Sequence, residues 1–415
     1  MKRILALVLV LLIFGGLVPA ASADAASTIE FWTIFTGDDC ATIQALVNRF
    51  NEEYAGKITV NHTAIAADDL YTKLPLAVQT GSGIPDLIII HVERFPKLVE
   101  DGVLTEVETL FEGDVDVANY PAAVLERTNF DGYQYGIPWD FNAPVLYVNL
   151  DLIAKYGLEG LLEDGYITFD EVKQAGAALK EAGVLETTRA INYYGGFNEF
   201  VARYDEFGGT LFDAEGNLNI DPQIWADMLA GFRELHTLGY AINREDSAST
   251  MFIGGNLVFY EAGTWTNATL MKVEGLNYTA MPMPCYSPET ALCRSGSHTF
   301  AQPENEDRTE ETDMAVSTFV NWMGAHSLKW AAEAGQVPLY KAVTEMPEFA
   351  NYPQTFLADA MMSEHIKVYN YYYWALFTTA VGHVGLDPIY DETYDLLKAG
   401  EQIQKEVDDA IAAMK

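Results

Sequence analysis

GIPWDFNAPVLYVN, residues 136–149, sets a tryptophan, an aspartate and an asparagine between two prolines and then runs into an apolar strand. Trp139 and Asp140 stand side by side ahead of Pro144 and the run Val145–Leu146–Tyr147–Val148. A large apolar ring beside a bare carboxylate has three readings: core filler, half of a catalytic pair, or the floor of a cleft. The flanking sequence decides among them.

Upstream, TIEFWTIF (28–35) alternates as a strand does, and ATIQALVNRFNEEY (41–54) repeats Ile43, Leu46, Val47 and Phe50 at helical spacing. ITVNHTAI (58–65) reads as a second strand, DLYTKLPLAVQTG (69–81) as a helix closed by a glycine, and IPDLIIIHV (84–92) as a fully buried strand. This alternation predicts an α/β lobe with a largely parallel sheet. Downstream the rhythm restarts. APVLYVNLDLIAKYG (143–157) runs from strand to helix, and TFDEVKQAGAALKEAG (168–183) is an amphipathic helix behind an N-cap threonine. ADMLAGFRELHTLGY (226–240) is another helix, and MFIGGNLVFYEAGTW (251–265) passes through Gly254–Gly255 into a strand. AVSTFVNWMGAHSLKWAAEA (315–334) and the C-terminal stretch from Tyr390 are amphipathic helices. Two α/β lobes are therefore expected, with residues 136–149 at the handover.

The amino terminus carries Lys2 and Arg3, a short apolar run and then PAASADAA, which predicts a signal peptide over residues 1–25. No cysteine follows the cleavage site, so a periplasmic or secreted protein is expected, without a lipid anchor or stable membrane insertion. The net charge is −36, from 60 acidic and 24 basic residues. Such a surface repels phosphate backbones and anionic headgroups, which argues against nucleic-acid partners. Apolar residues make up 49% of the chain, enough for a sizeable core. Cys285 and Cys293 flank Pro288 in CYSPETALC and are expected to form a disulfide, leaving Cys40 as a buried free thiol. No C-x-x-C or H-E-x-x-H motif suggests a metal, and no cofactor is expected.

Several aromatic residues sit in polar company. Trp265 lies in EAGTWTN, Trp374 ends the run YYYW at the start of a helix, and Trp139 precedes Asp140. Ring faces beside Asp, Asn and Thr suit a sugar, whose C–H faces stack while its hydroxyls need fixed partners. The carboxylates Asp38, Asp39, Glu93, Asp140 and Glu261 fall at strand or loop ends, where two of them would make a glycosidase pair. Among so many acidic residues that signal is weak, and binding ranks above catalysis. DAEGNLNID (213–221) places oxygens as a calcium loop does but lacks its sixth-position glycine and twelfth-position glutamate. A hairpin turning at Gly216–Asn217 is the expectation there.

The order of NEEYAGKITV, LPLAVQTGSGIPDLIIIHVERFPKLVEDGVLTEV, YGIPWDFNAPVLYVNLDLIAKYGL, TFDEVKQAGAALKEAG, MFIGGNLVFYEAGTW and AGQVPLYKAV resembles extracellular solute-binding proteins of the maltose-binding type. The resemblance implies a periplasmic-binding fold, two discontinuous α/β lobes joined by hinge crossings, with a carbohydrate held between them and passed to an ABC permease. It implies crossings near Phe141, Cys293 and Val337, hence lobes of 27–141 with 294–337 and of 142–293 with 338–415. Glu93 and Arg94 match the acidic–Arg pair that reaches the ligand, with Ile90 where an aromatic often precedes it. Trp265 and Trp374 match ring platforms. Trp139, Asp140 and Asn142 would line the cleft at the first crossing, Asp38 and Asp39 would follow the first strand into it, and Tyr194 and Phe197 would add contacts. The expected protein is a monomer that binds a carbohydrate, with a glycerol-phosphate-like polyol ester as the alternative ligand and a secreted glycosidase as the rival activity.

Overall fold

The chain opens with β1 (Ser27–Thr33), α1 (Gly37–Glu53), β2 (Ile58–Ala64), α2 (Ala67–Thr80) and β3 (Leu87–His91), in the order that the apolar spacing predicts. A computed structural model describes residues 26–193, 197–289, 291, 293–360 and 366–414. β1 pairs in parallel with β2 on one side and with β3 on the other. Helix α1 buries Ile43, Leu46, Val47 and Phe50, the positions at helical spacing. Helix α2 ends at Gly81, whose φ of 61° makes the left-handed cap that a side chain would resist.

The second sheet is built from β4 (Pro144–Asn149), β5 (Arg189–Ile191), β6 (Leu257–Gly263) and β7 (Tyr278–Met281) in the order β5–β6–β4–β7. Only β5 and β6 run parallel. Every residue of β4 is buried because both faces are covered. Val145 and Tyr147 join the apolar cluster shared with the first sheet, whereas Leu146 and Val148 join the cluster behind the second. That outer cluster is closed by α3 (Phe169–Glu181), α4 (Pro222–Thr237), α5 (Trp374–Val384) and α6 (Leu397–Met414). Thr168 and Glu171 form a full capping box at the start of α3.

The strand β8 (His298–Pro303) is not expected from the sequence. It returns to the first sheet antiparallel to β3, setting His298 opposite His91 and Ala301 opposite Ile88. The first sheet is therefore mixed, with Leu104–Thr105 and Ile137–Pro138 both pairing with β8. All six residues of β8 are buried although half are polar, and Gln302 donates to Asp313 Oδ1 at 2.9 Å.

The chain passes between the sheets at segments that touch one another. Asp140 and Phe141 pair with Pro338 and Val337. Asn142 and Gly296 exchange backbone hydrogen bonds of 3.1 and 2.9 Å. Gly335, just ahead of one crossing, has φ +72°, and a Cβ there would lie 2.4 Å from the carbonyl oxygen of Thr264.

Two expectations meet different fates. Asp213 accepts from the backbone N–H of Glu215 and Asn217 at 3.0 and 2.8 Å, so its oxygens serve a hairpin turn. Among the described residues no cluster of His, Cys, Asp and Glu could hold a metal ion. The Cys285–Cys293 disulfide is corrected. Cys285 is a buried free thiol that donates to the Ile167 carbonyl at 3.7 Å, and burial pushes its pKa up to about 12. Its backbone bonds to Ile167 and Phe169 hold it beside the start of α3. The Cys293 side chain lies outside the described residues. Cys40 is a free, half-buried thiol on α1.

Replacing Gly335 with alanine should destabilise the protein by about 1–3 kcal/mol, because the new Cβ meets backbone in a left-handed conformation. Denaturant midpoints of the two proteins check this. An unchanged midpoint would mean the crossing yields freely at this point.

Candidate ligand-binding site

A cavity of about 430 Å³ opens beside the crossings and takes its walls from both sheets. The turn after β1 contributes Phe35 and Thr36, and the start of α1 contributes Asp39. The end of β3 contributes His91, Glu93 and Arg94, since Phe95 and Pro96 begin a short helix that turns the chain away. The crossings supply Asn142, Arg294, His298 and Gln336. Opposite them stand Trp265, just past β6, with Trp374 and Thr378 from the first turn of α5.

Charge is strongly organised in this cavity. The guanidinium of Arg294 pairs with Glu93 Oε1, and burial pulls the arginine down to about 9, still a cation at neutral pH. Glu93 is 6% exposed, and its Oε2 has no hydrogen-bond partner among the described residues. A buried carboxylate oxygen left so is expensive unless a ligand donor meets it. Gly296 makes room for this arrangement, because a Cβ there would lie 2.7 Å from Asn142 Oδ1 and 3.2 Å from Glu93 Oε1. Arg94 lays its guanidinium 4.4 Å from the centre of the Tyr71 ring. Tyr71 Oη bonds His91 Nδ1 at 2.8 Å and accepts the His91 backbone N–H at 3.1 Å. Burial, helped by the positive charges nearby, holds His91 well below the usual imidazole range and so neutral. Asp39 is raised to about 6, first by burial, with Asp140 and Asp38 adding repulsion and His298 opposing it.

Residues 45–357 match the family model of the bacterial extracellular solute-binding protein. The chain belongs to that family. It is 31% identical over 204 residues to the arabinooligosaccharide-binding protein of Halalkalibacterium halodurans, a match covering 48% of this chain and 44% of that one. It is 22% identical over 358 residues to the sn-glycerol-3-phosphate-binding periplasmic protein UgpB of Escherichia coli, covering 80% and 78%. The solved sugar-binding protein MalE of Xanthomonas citri superposes with a TM-score of 0.77 at 19% identity, over 94% of this chain and 98% of that one. The two-lobed periplasmic-binding fold is thus that of solute-binding proteins, and among the described residues no helix is long and apolar enough to cross a membrane.

Of the residues that the sequence singles out, this solute-binding protein brings Asp39, Glu93, Arg94, Asn142, Trp265 and Trp374 to one cavity. Trp265 is 37% exposed, its ring lying over Gly263, where a Cβ would strike it. Trp374 is nearly buried, stacked 5.7 Å from Tyr369. Trp139 and Asp140 are corrected: neither lines the cavity and both are fully buried. Backbone pairing turns Trp139 inward, where it stacks 4.8 Å from Trp330 and donates to the Met323 carbonyl. Asp38 also stays outside, pointing to solvent and paired with Lys272 at 2.7 Å. Glu261 is buried within β6. Tyr194 and the Phe197 side chain lie outside the described residues. Arg294, His298, His91 and Gln336 escape the sequence reading. The signal for Arg294 and His298 was the glycine of RSGSH, a tight spot at a crossing.

Asp39 offers a test with a defined sign. Its folded pKa stands above the ordinary carboxylate value of 3.8, so the folded state holds a proton that the unfolded chain releases between pH 4 and 6. Stability contributed by this group is present at low pH and lost as pH rises to about 6. Asp39→Asn should therefore melt higher than the wild type at pH 7 and equally near pH 4. Calorimetric melts across that range check it; a variant no more stable at pH 7 would show that Asp39 ionises without strain.

Proposed function

We propose that the protein captures a carbohydrate, in particular an oligosaccharide, between its lobes and presents it to the permease of an ABC importer without chemically changing it. The observation that carries this reading is the pairing of an exposed tryptophan with an unsatisfied buried carboxylate oxygen in one cavity. Trp265 leaves a ring exposed where sugar C–H groups would stack, and Glu93 Oε2 awaits a hydroxyl. Trp374 and Asn142 complete the apolar and polar contacts. The lobes, 27–141 with 294–337 and 142–293 with 338–415, would close about the touching crossings.

Two surface bridges favour the closed arrangement. Asp38 reaches Lys272 across one rim at 2.7 Å, and Tyr372 joins Lys97 and Asp101 across the other at 3.0 and 2.8 Å. Exposed pairs of this kind are worth about 1 kcal/mol or less each. The ligand's own contacts must therefore supply most of the shift toward closure.

A second reading, a polyol phosphate, is favoured by one fact: Arg94 has no ion pair among the described residues. The sugar reading is preferred because Arg94 already lies on the Tyr71 ring and Glu93 neutralises the other cleft arginine.

Tryptophan fluorescence of the exported protein, titrated with neutral oligosaccharides and with sn-glycerol 3-phosphate, separates the two. A saturable change with a neutral sugar is expected. Saturation by the phosphate alone would replace the reading, and release of reducing sugar from a bound oligosaccharide would end the non-catalytic one. Trp265→Ala should weaken sugar binding by about 2 kcal/mol, roughly 30-fold, with an unchanged melting temperature. Equal affinity would remove Trp265 from the site.

A further inference from the structure

Asp140 has no exposed surface, yet its carboxylate is the most heavily used acceptor at the crossings. Oδ1 accepts the backbone N–H of His298 at 2.8 Å. Oδ2 accepts the indole N–H of Trp330 at 2.6 Å and stands 2.6 Å from His298 Nδ1. A carboxylate has only acceptor oxygens to offer, so the ring proton of His298 has to sit on Nδ1. The other ring nitrogen is the one left for the cavity. His298 lines that cavity, and Nε2 has no hydrogen-bond partner among the described residues, nor is it one of the sealed polar atoms.

The ring cannot easily turn. Phe35 meets it edge-on with centroids 4.7 Å apart, and the His91 ring stands 5.4 Å away. Charged and titratable groups face it from each neighbouring element: Asp39 from α1, His91, Glu93 and Arg94 from the end of β3, and Asp140 and Arg294 from the crossings. Among the described residues only Asp140 lies within hydrogen-bond reach of Nδ1 with good length, since Asn142 Nδ2 approaches no closer than 3.5 Å.

We propose that His298 is a ligand contact whose Nε2, in the neutral ring, accepts a hydrogen bond from a ligand hydroxyl, and that Asp140 is the positioning residue that sets this sense by holding the ring proton on Nδ1. The proposal rests on the ligand-cleft reading given above. It explains why a residue marked by the sequence for the cleft is buried one layer behind it. Asp140 acts on the ligand through the imidazole. It also gives a chemical preference, because a rigid acceptor selects a ligand hydroxyl that can donate in that direction.

The experiment uses the full exported chain with 15N-labelled histidine and long-range proton–nitrogen correlation, which reports the tautomer of each neutral ring. His298→Gln identifies the resonance by its loss. The neutral His298 ring should carry its proton on Nδ1, and a proton on Nε2 would overturn the proposal. Asp140→Asn can present an amide N–H to Nδ1, so the ring proton should move to Nε2. A ring that keeps Nδ1–H in a folded variant would overturn the role of Asp140. If that variant does not fold, the wild-type spectrum still decides the tautomer.

Arabinotriose, maltotriose and sn-glycerol 3-phosphate are then titrated by calorimetry. A probe that binds should move the Nε2 resonance, and His298→Gln should weaken it roughly tenfold. A bound probe that leaves Nε2 unmoved would overturn the contact. If none of the three binds, the ligand class proposed for the cleft fails, whereas the tautomer and the role of Asp140 stand or fall on the spectrum.

Discussion

Three N–H groups converge on one carboxylate where the chain first leaves the amino-terminal sheet, and much of the architecture is arranged around that point. Asp140 draws the start of β8 and the indole of Trp330 toward itself, tying together stretches far apart in sequence. Removing one donor from such a group would leave a buried charge short of partners, which costs several kcal/mol. The neighbouring backbone pairs of Phe141 with Val337 and Asn142 with Gly296 depend on the same register. Beside the apolar cluster that the two sheets share, a small, well-satisfied knot of hydrogen bonds thus joins the lobes.

Outside this knot the chain is crowded with acid, but inside the cleft the charges nearly balance. Arg294 answers Glu93, Arg94 rests on an aromatic face, and His91 is kept neutral. A cavity arranged in this way holds directional donors and acceptors without a strong net field. Such a cavity suits hydroxyl groups, which need direction more than charge, while the acidic exterior repels other anions.

The fold was legible where apolar periodicity was strong. The β1-to-β3 segment, the β4 strand and the late helices all follow it, because their cores are aliphatic. β8 escaped because its six buried residues include His298, Thr299 and Gln302, whose polarity hides a central strand. The site was legible in part for a similar reason. Trp265 and Trp374 announce themselves by polar neighbours, and Glu93 with Arg94 by the resemblance. Arg294 and His298 sit in a stretch of small polar residues with no period, marked by its glycine alone, and the fold brings them to the cleft. Asp140 was singled out for the cleft and wrongly aimed, since sequence shows which residue is unusual and not which way a strand turns it. The cysteine pairing failed likewise: eight residues of separation allow a bridge, but Cys285 is claimed by the backbone beside α3.

Cavity wall and crossings share residues here: Asn142, Arg294, His298 and Gln336 belong to both. Specificity and mobility are therefore hard to vary separately at these positions. A lineage drifting toward a new ligand would find its freedom mainly on the opposite wall, around Trp265, Trp374 and Thr378, where a change of ring or hydroxyl leaves the crossings untouched. One wall of the cavity is in this sense its conservative half and the other its evolvable half.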